Sequence, residues 1–364
     1  MQNDRLIEIF FDLIRINALS REEKPVADYI TGFLRNLGFN PVTDESYKFT
    51  GSNTGNIICK IGTGGNYLML SHMDTARPTA EVKPIISDDK ISSDTTTVLG
   101  VDNRAGIAVL LYSIEKAVKE GRKLNDFTLA FTTCEETTLE GSLNLGINGG
   151  IKSGYIFDSS HRPGKFIYSS CGAMSFKVYI TGKASHSGIA PEKGINAIAC
   201  AADAVSKIQQ GRIDHETTVN IGKFTGGSAV NVVSESVYLE GEVRSFNIPK
   251  IDVLINEIKG KFESSAAGYG ASVKFEPFWD FKPFTLSQED EVFVKTMKML
   301  EEINLKPEPV ISLGGSDANS LNGRGIKSVN LGIGAQNPHG NDEFIFIEDL
   351  KKSSELAMKL MTVN

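Results

Sequence analysis

At 364 residues and 40% hydrophobic content, the chain can bury a large core as one domain or two, with no need of a disulfide scaffold. Its formal net charge of −7 disfavours nucleic acid, which demands clustered Lys and Arg, and no segment is long and apolar enough to span a membrane. Cys59, Cys134, Cys171 and Cys200 lie far apart with no C-x-x-C pair, which argues against thiolate zinc sites and secreted bridges and fits a reducing, cytoplasmic compartment.

Asp4, Arg5, Glu8, Asp12 and Arg15 interrupt the apolar residues of the N-terminus, so nothing there reads as a signal sequence. Ser20-Arg21-Glu22-Glu23 has the spacing of a capping box, opening a helix through Val26, Tyr29, Ile30 and Phe33 towards Gly38. Tyr67 to Leu70 predicts a strand buried on both faces, and Phe127 to Thr133 another. Between them Ile107, Leu110, Leu111, Ile114 and Val118 fall on one stripe of a helix that ends near Gly121. Alternating strand and helix predict an α/β fold, a mostly parallel sheet flanked by helices.

From about Ala173 the pattern changes to α+β. Met174 to Thr181, Thr217 to Phe224 and Val237 to Phe246 read as strands, Ile195 to Gln210 and Ile251 to Phe262 as helices, and Ser272 to Phe275 as a last strand before a return crossing over Phe278 to Pro283. The α/β rhythm then resumes with a helix at Val292 to Ile303, a strand at Ser328 to Gly332 and a closing helix from Glu348. The expectation is one domain, 1–172 and 283–364, interrupted by a second, 173–282.

Loops at the carboxyl edge of an α/β sheet are where ligands bind, and acidic and imidazole groups recur there. His72 and Asp74 follow the Tyr67 strand, and Asp102 precedes the Ile107 helix. Glu135 and Glu136 follow the Phe127 strand, Asp158 closes Tyr155-Ile156-Phe157, and His339 lies after the Ser328 strand. Singly, each is an ordinary surface acid or structural histidine. Their recurrence after successive strands points to a metal centre with the nitrogen and oxygen ligands that zinc accepts. Three carboxylates, Asp102, Glu136 and Asp158, are neutralised by two divalent ions with one hydroxide, whereas one ion leaves them anionic. Cys134, beside Glu135, has no assignable histidine partner and reads as a small buried thiol, and His161 and His215 match no motif.

His72-Met73-Asp74, Gly100-Val101-Asp102-Asn103-Arg104-Ala105-Gly106, Glu135-Glu136, Asp158, Ser185-His186-Ser187-Gly188 and Pro338-His339-Gly340-Asn341 resemble, in that order and over nearly the whole chain, the motifs of the peptidase T, carboxypeptidase G and aminoacylase family of dinuclear zinc exopeptidases. The stretches from Pro191 to Ile198 and from Gly211 to Thr218 look closest to the peptidase T-like branch. The resemblance implies a catalytic domain interrupted by a ferredoxin-like lid and dimerisation domain. It also implies two divalent ions, zinc with cobalt or manganese as alternatives, and a homodimer.

Residue by residue, the resemblance makes Asp102 the carboxylate shared by both ions, with His72 and Asp158 completing one ion's ligands and Glu136 and His339 the other's. Asp74 would orient His72, and Glu135 would be the general base. The histidine matching His186 reaches the active site in relatives, sometimes from the partner subunit, to stabilise the oxyanion. Asn231, Arg244 and the glycine turn at Gly315 would bind substrate, Arg244 by forking onto a free carboxylate.

The activity so implied is removal of the N-terminal residue from tripeptides or similarly short peptides. Dipeptides or N-acyl amino acids are the alternative substrates, and Asp158 in place of a longer Glu leans towards the aminopeptidase. A catalytically silent metal- or peptide-binding relative is the remaining alternative, opposed by the presence of Glu135.

Overall fold

The computed structural model describes residues 4–147 and 149–363, and their contacts divide into two compact units. The first holds the residues up to Ser169, Thr285–Ser312 and those from Ser316 onward; the second holds Ser170–Phe284 with Leu313–Gly315. The second unit thus reaches beyond the expected 173–282 at both ends and takes in a distant tripeptide. Ser170 Oγ donates to the Gly314 carbonyl at 2.7 Å and Cys171 Sγ to that of Leu313 at 3.0 Å, which ties these backbones together.

In the first unit, the charge-interrupted N-terminus is an amphipathic helix, Arg5–Ile14, that buries Leu6, Ile9, Phe10 and Leu13 and is capped by Asp4. The large sheet runs Val42–Thr43, Ile57–Ile61, Phe127–Thr132, Tyr67–His72, Ser153–Ser159, Lys327–Gly332, Lys165–Ser170, Phe284–Thr285, with Glu308–Ser312 also paired to Lys165–Ser170. Its central four strands, Phe127–Thr132 to Lys327–Gly332, are parallel and their neighbours antiparallel. Tyr67–His72 and Phe127–Thr132 are buried throughout, which is why both read as unbroken apolar runs. The chain leaves this sheet through Lys165–Ser170 and re-enters through Phe284–Thr285 beside it, where the Ser169 and Thr285 hydroxyls meet at 2.6 Å and Leu286 N–H reaches the Tyr168 carbonyl at 2.9 Å.

The expected capping box does not form. Arg21 has φ 75°, a left-handed conformation through which no helix can start, and the helix opens instead at Lys24 with Pro25 in its first turn. Ser20 and Glu23 find distant partners, Ser20 Oγ donating to Asp74 Oδ2 at 2.7 Å and Glu23 Oε1 accepting the Cys134 N–H at 2.9 Å.

The second unit has a five-stranded antiparallel sheet, in the order Gly211–Arg212, Thr218–Gly226, Ser236–Ser245, Gly172–Thr181, Ser272–Phe281. With the helices Ala197–Ser206 and Ile248–Tyr269 it forms the β-α-β-β-α-β succession of a ferredoxin-like fold around Phe176, Val178, Leu239, Val243, Ile251 and Phe262. The helix expected over Ile251 to Phe262 runs longer, Ile248–Tyr269, the short strand Gly211–Arg212 was not expected, and two further elements differ. The last strand runs on to Phe281, so Phe278 to Pro283 is no separate crossing, and Pro277 is tolerated because this strand lies at the sheet edge. The Ala-rich helix starts at Ala197, not Ile195, because Asn196 Oδ1 caps it by accepting the N–H groups of Ile198 and Ala199.

Candidate metal centre

The carboxyl ends of the parallel strands bring together groups far apart in the chain. His72 Nε2 lies 3.0 Å from Asp102 Oδ1 and 3.3 Å from Asp158 Oδ1. His339 Nε2 lies 3.5 Å from Asp102 Oδ2 and 3.2 Å from Glu136 Oε2. The two triads, His72–Asp102–Asp158 and Asp102–Glu136–His339, each place three donor atoms within 4.8 Å of one another and have Asp102 in common. Glu135 Oε2 stands beside them, 4.0 Å from His72 Nε2.

Asp74 is fully buried behind this cluster. His72 Nδ1 is 3.1 Å from the Asp74 carbonyl and 3.3 Å from its Oδ1, so Nδ1 donates towards Asp74 and Nε2 faces Asp102 and Asp158. The same carboxylate accepts the Glu135 N–H on Oδ1 and the Glu136 N–H on Oδ2, both at 3.1 Å. Asp74 therefore sets His72 and the acidic pair together.

The electrostatics call for cations. Burial would depress the His72 imidazolium, but Glu135, Asp102, Asp158 and Asp74 outweigh it and hold its pKa well above the usual value. Hydrogen bonds to Asp102 and Glu136 push His339 up to about 10. Burial, with other carboxylates close by, raises Glu135, Glu136 and Asp158. Glu136 Oε1 is buried without a hydrogen-bond partner among the described residues, an orphaned acceptor that an ion would satisfy. Imidazole and carboxylate donors in two triads sharing one residue fit two divalent ions.

Without ions, then, both histidines hold protons that a metal must displace. Affinity should rise with pH, by about tenfold per unit for each ion that displaces one proton, and protons should be released on binding. Calorimetric zinc titrations in buffers of different ionisation enthalpy would show this; an affinity flat between roughly pH 6 and pH 8 would count against the histidines as ligands.

Three supporting residues have roles that the sequence reading did not assign. Glu343, buried, accepts the N–H of Gly100 on Oε2 (2.6 Å) and that of Asp102 on Oε1 (3.2 Å), so it ties down the Gly100–Asp102 turn from another loop; burial, with Asp102 beside it, pushes its pKa up to about 7. Asn330 Nδ2 reaches Asp158 Oδ2 at 3.4 Å. Arg104, fully buried, donates to the carbonyls of Met73, Ile16 and Ala18; burial lowers it to about 10, against the pull of Asp74 and Glu23, so it stays charged at neutral pH. The position of Glu343, four residues after His339, was the available hint.

Cys134 is buried and its thiol faces Glu23 at 3.4 Å; burial, with Glu23 and Asp74 near, pushes it up to about 12, so it is no nucleophile. His215 is exposed and His161 half-buried, neither in a ligand group among the described residues.

The remaining expected site residues lie in the second unit. His186 is exposed, and its Nδ1 accepts the Gly188 N–H at 3.2 Å, which leaves Nε2 as the donor. Asn231 is exposed, its carbonyl accepting the Ser187 N–H at 3.0 Å. Arg244 already forks onto Glu242, with Nε and Nη2 each 3.0 Å from a carboxylate oxygen, while Nη1 donates to the Leu313 carbonyl at 3.2 Å. At Gly315 a Cβ would meet the Phe281 ring at 2.4 Å, so close packing demands glycine there. The following Ser316 forms a capping box with Asn319 for the helix Asp317–Gly323.

Comparison with known proteins agrees with this picture. Residues 168–270 match the family described as a peptidase dimerisation domain. The uncharacterized protein YqjE of Bacillus subtilis is 34% identical over 361 residues, 98% of this chain and 97% of that protein. The crystal structure of aminopeptidase PepT from Bacillus cereus superposes with a TM-score of 0.86 at 33% identity, covering 98% and 97% of the two chains. A tripeptidase from Staphylococcus aureus gives a TM-score of 0.90 at 29% identity over the same shares.

Proposed function

The chain belongs to the peptidase T-like family of M20 metallopeptidases, and from that premise we propose that it is an aminopeptidase which removes the N-terminal residue from tripeptides or similarly short peptides. The observation that carries this reading is the pair of triads joined at Asp102, with the Glu135 carboxylate beside them and outside both. The ions we propose are zinc, with cobalt or manganese as alternatives, because the donors are imidazole and carboxylate without thiolate. Two such ions polarise the scissile carbonyl and make water a competent nucleophile near neutral pH.

The protein's own groups do the rest. His72, Asp158, Asp102, Glu136 and His339 hold the ions, and Asp74 fixes the His72 tautomer. Glu135 takes the proton of the attacking water on its carboxylate and passes it to the departing amine. From the second unit we assign His186 Nε2–H as a donor to the tetrahedral oxyanion, and Asn231, Arg244 and the turn at Gly315 as substrate contacts. Arg244 would engage a peptide carboxylate by exchanging or sharing its fork with Glu242. The match to a dimerisation domain supports a homodimer, and four buried cysteines with no C-x-x-C pair support a reducing, cytoplasmic setting. No helix among the described residues is long and apolar enough to cross a membrane.

A panel of free-amino and N-acetylated tripeptides, dipeptides and acyl amino acids tests the substrate class. Free-amino tripeptides should have the highest kcat/KM, by about tenfold or more over each other group, the scale of one lost charged contact. Faster turnover of the acylated set would replace this reading with an amidohydrolase of the same design.

A further inference from the structure

We propose that Glu23 is a positioning residue for catalysis, its buried carboxylate anchoring the backbone at Cys134 and so aiming the adjoining Glu135. This rests on Glu135 being the base. Glu23 has no exposed surface. Its Oε1 accepts the N–H groups of Arg21 and Cys134, each at 2.9 Å, and the Cys134 thiol at 3.4 Å; its Oε2 accepts the Ser52 hydroxyl at 2.5 Å.

The anchored residue needs anchoring. Cys134 has φ 54° and ψ 37°, left-handed values that a residue with a Cβ adopts only when its surroundings hold it there. Three consecutive backbone N–H groups, those of Cys134, Glu135 and Glu136, end on two buried carboxylates brought from elsewhere, the first on Glu23 and the next two on Asp74. The Ser20–Glu23 segment reaches both anchors, since Ser20 Oγ also binds Asp74 Oδ2. Arg104, buried and charged, interacts with both carboxylates and offsets part of their cost. Removing Glu23 strands the Cys134 N–H and frees the turn at the point where Glu135 begins. A displacement near 1 Å at a reacting group can cost about 10²-fold in rate.

The test uses purified protein loaded with zinc and compares Glu23→Ala, Glu23→Asp, which withdraws the carboxylate by one methylene, and Glu23→Gln, which keeps an acceptor facing Cys134. Glu135→Ala runs alongside. The Ala and Asp variants should retain two ions by elemental analysis and a KM within about threefold of the parent, while kcat falls about tenfold or more; Gln should restore kcat to within about threefold. Should the Ala variant fail to fold, the Asp variant carries the test. A folded, fully metallated Asp or Ala variant with kcat within twofold of the parent overturns the proposal, as does a loss that added zinc repairs. If instead Glu135→Ala keeps its turnover, it is the base assignment beneath the proposal that fails.

Discussion

Glu135→Ala is expected to bind two ions as the parent does and to hydrolyse peptide about 10³- to 10⁴-fold more slowly, roughly 4 to 5.5 kcal/mol of barrier. The expectation follows from position. Glu135 is in neither ligand triad, yet its Oε2 is 4.0 Å from the Nε2 of His72, the nitrogen that serves one of them. With no ion bound, burial raises its carboxyl above the ordinary range, opposed by His72 and reinforced by Asp158 and Glu136. The backbone N–H of Glu135 goes to Asp74 and does not depend on the side chain, so truncation should leave the turn and Glu136 in place. Metal analysis and steady-state kinetics on one preparation check both halves. Activity within tenfold of the parent would remove Glu135 from its role; loss of an ion would make it a ligand.

Asp102→Ala should abolish activity by a different route, emptying both ion positions. It is the one residue common to the two triads, each of its oxygens facing a different histidine. Burial opposes its charge, but hydrogen bonds from His339 and His72 hold the carboxyl well below the usual range, so it is charged at any pH at which the protein would be assayed. Asp158→Ala and His339→Ala each touch one triad and should lose about one ion per chain, against about two for Asp102→Ala, with residual affinity set by the remaining donors. The backbone contact between Asp102 N–H and Glu343 survives the substitution, so the loop should keep its course. Metal stoichiometry after dialysis against a weak chelator distinguishes these outcomes, and two ions retained in Asp102→Ala would dismiss the shared-ligand arrangement.

What the sequence made legible was placement at strand ends. Tyr67–His72 and Phe127–Thr132 announce themselves because strands buried on both faces tolerate almost nothing polar, and the groups that follow them are then conspicuous. So His72, Asp102, Glu136, Asp158 and His339 stand out in the sequence alone, and the geometry brings them within ligand reach. The pieces that hold them in place were not legible. Ser20 and Glu23 have the spacing of a local cap, and spacing carries no record that Arg21 turns left-handed or that the partners are Asp74 and Cys134. Glu343 holds a turn, Gly100–Asp102, that lies more than two hundred positions earlier in the chain. The fork of Arg244 suggested a free carboxylate, yet Glu242, two positions away on the same face of its strand, already occupies it.

The side-by-side strands Lys165–Ser170 and Phe284–Thr285 have a consequence for how such a protein can be remodelled. Departure and return share one stitch in the fabric of the larger sheet, cinched by the Ser169 and Thr285 hydroxyls. A replacement module would need two ends about one strand spacing apart, near 4.8 Å, to be sewn in at that seam, and a place to receive Leu313–Gly315. His72, Asp102, Glu136, Asp158 and His339 all lie outside these two strands, so recombination could trade one inserted module for another while leaving them untouched.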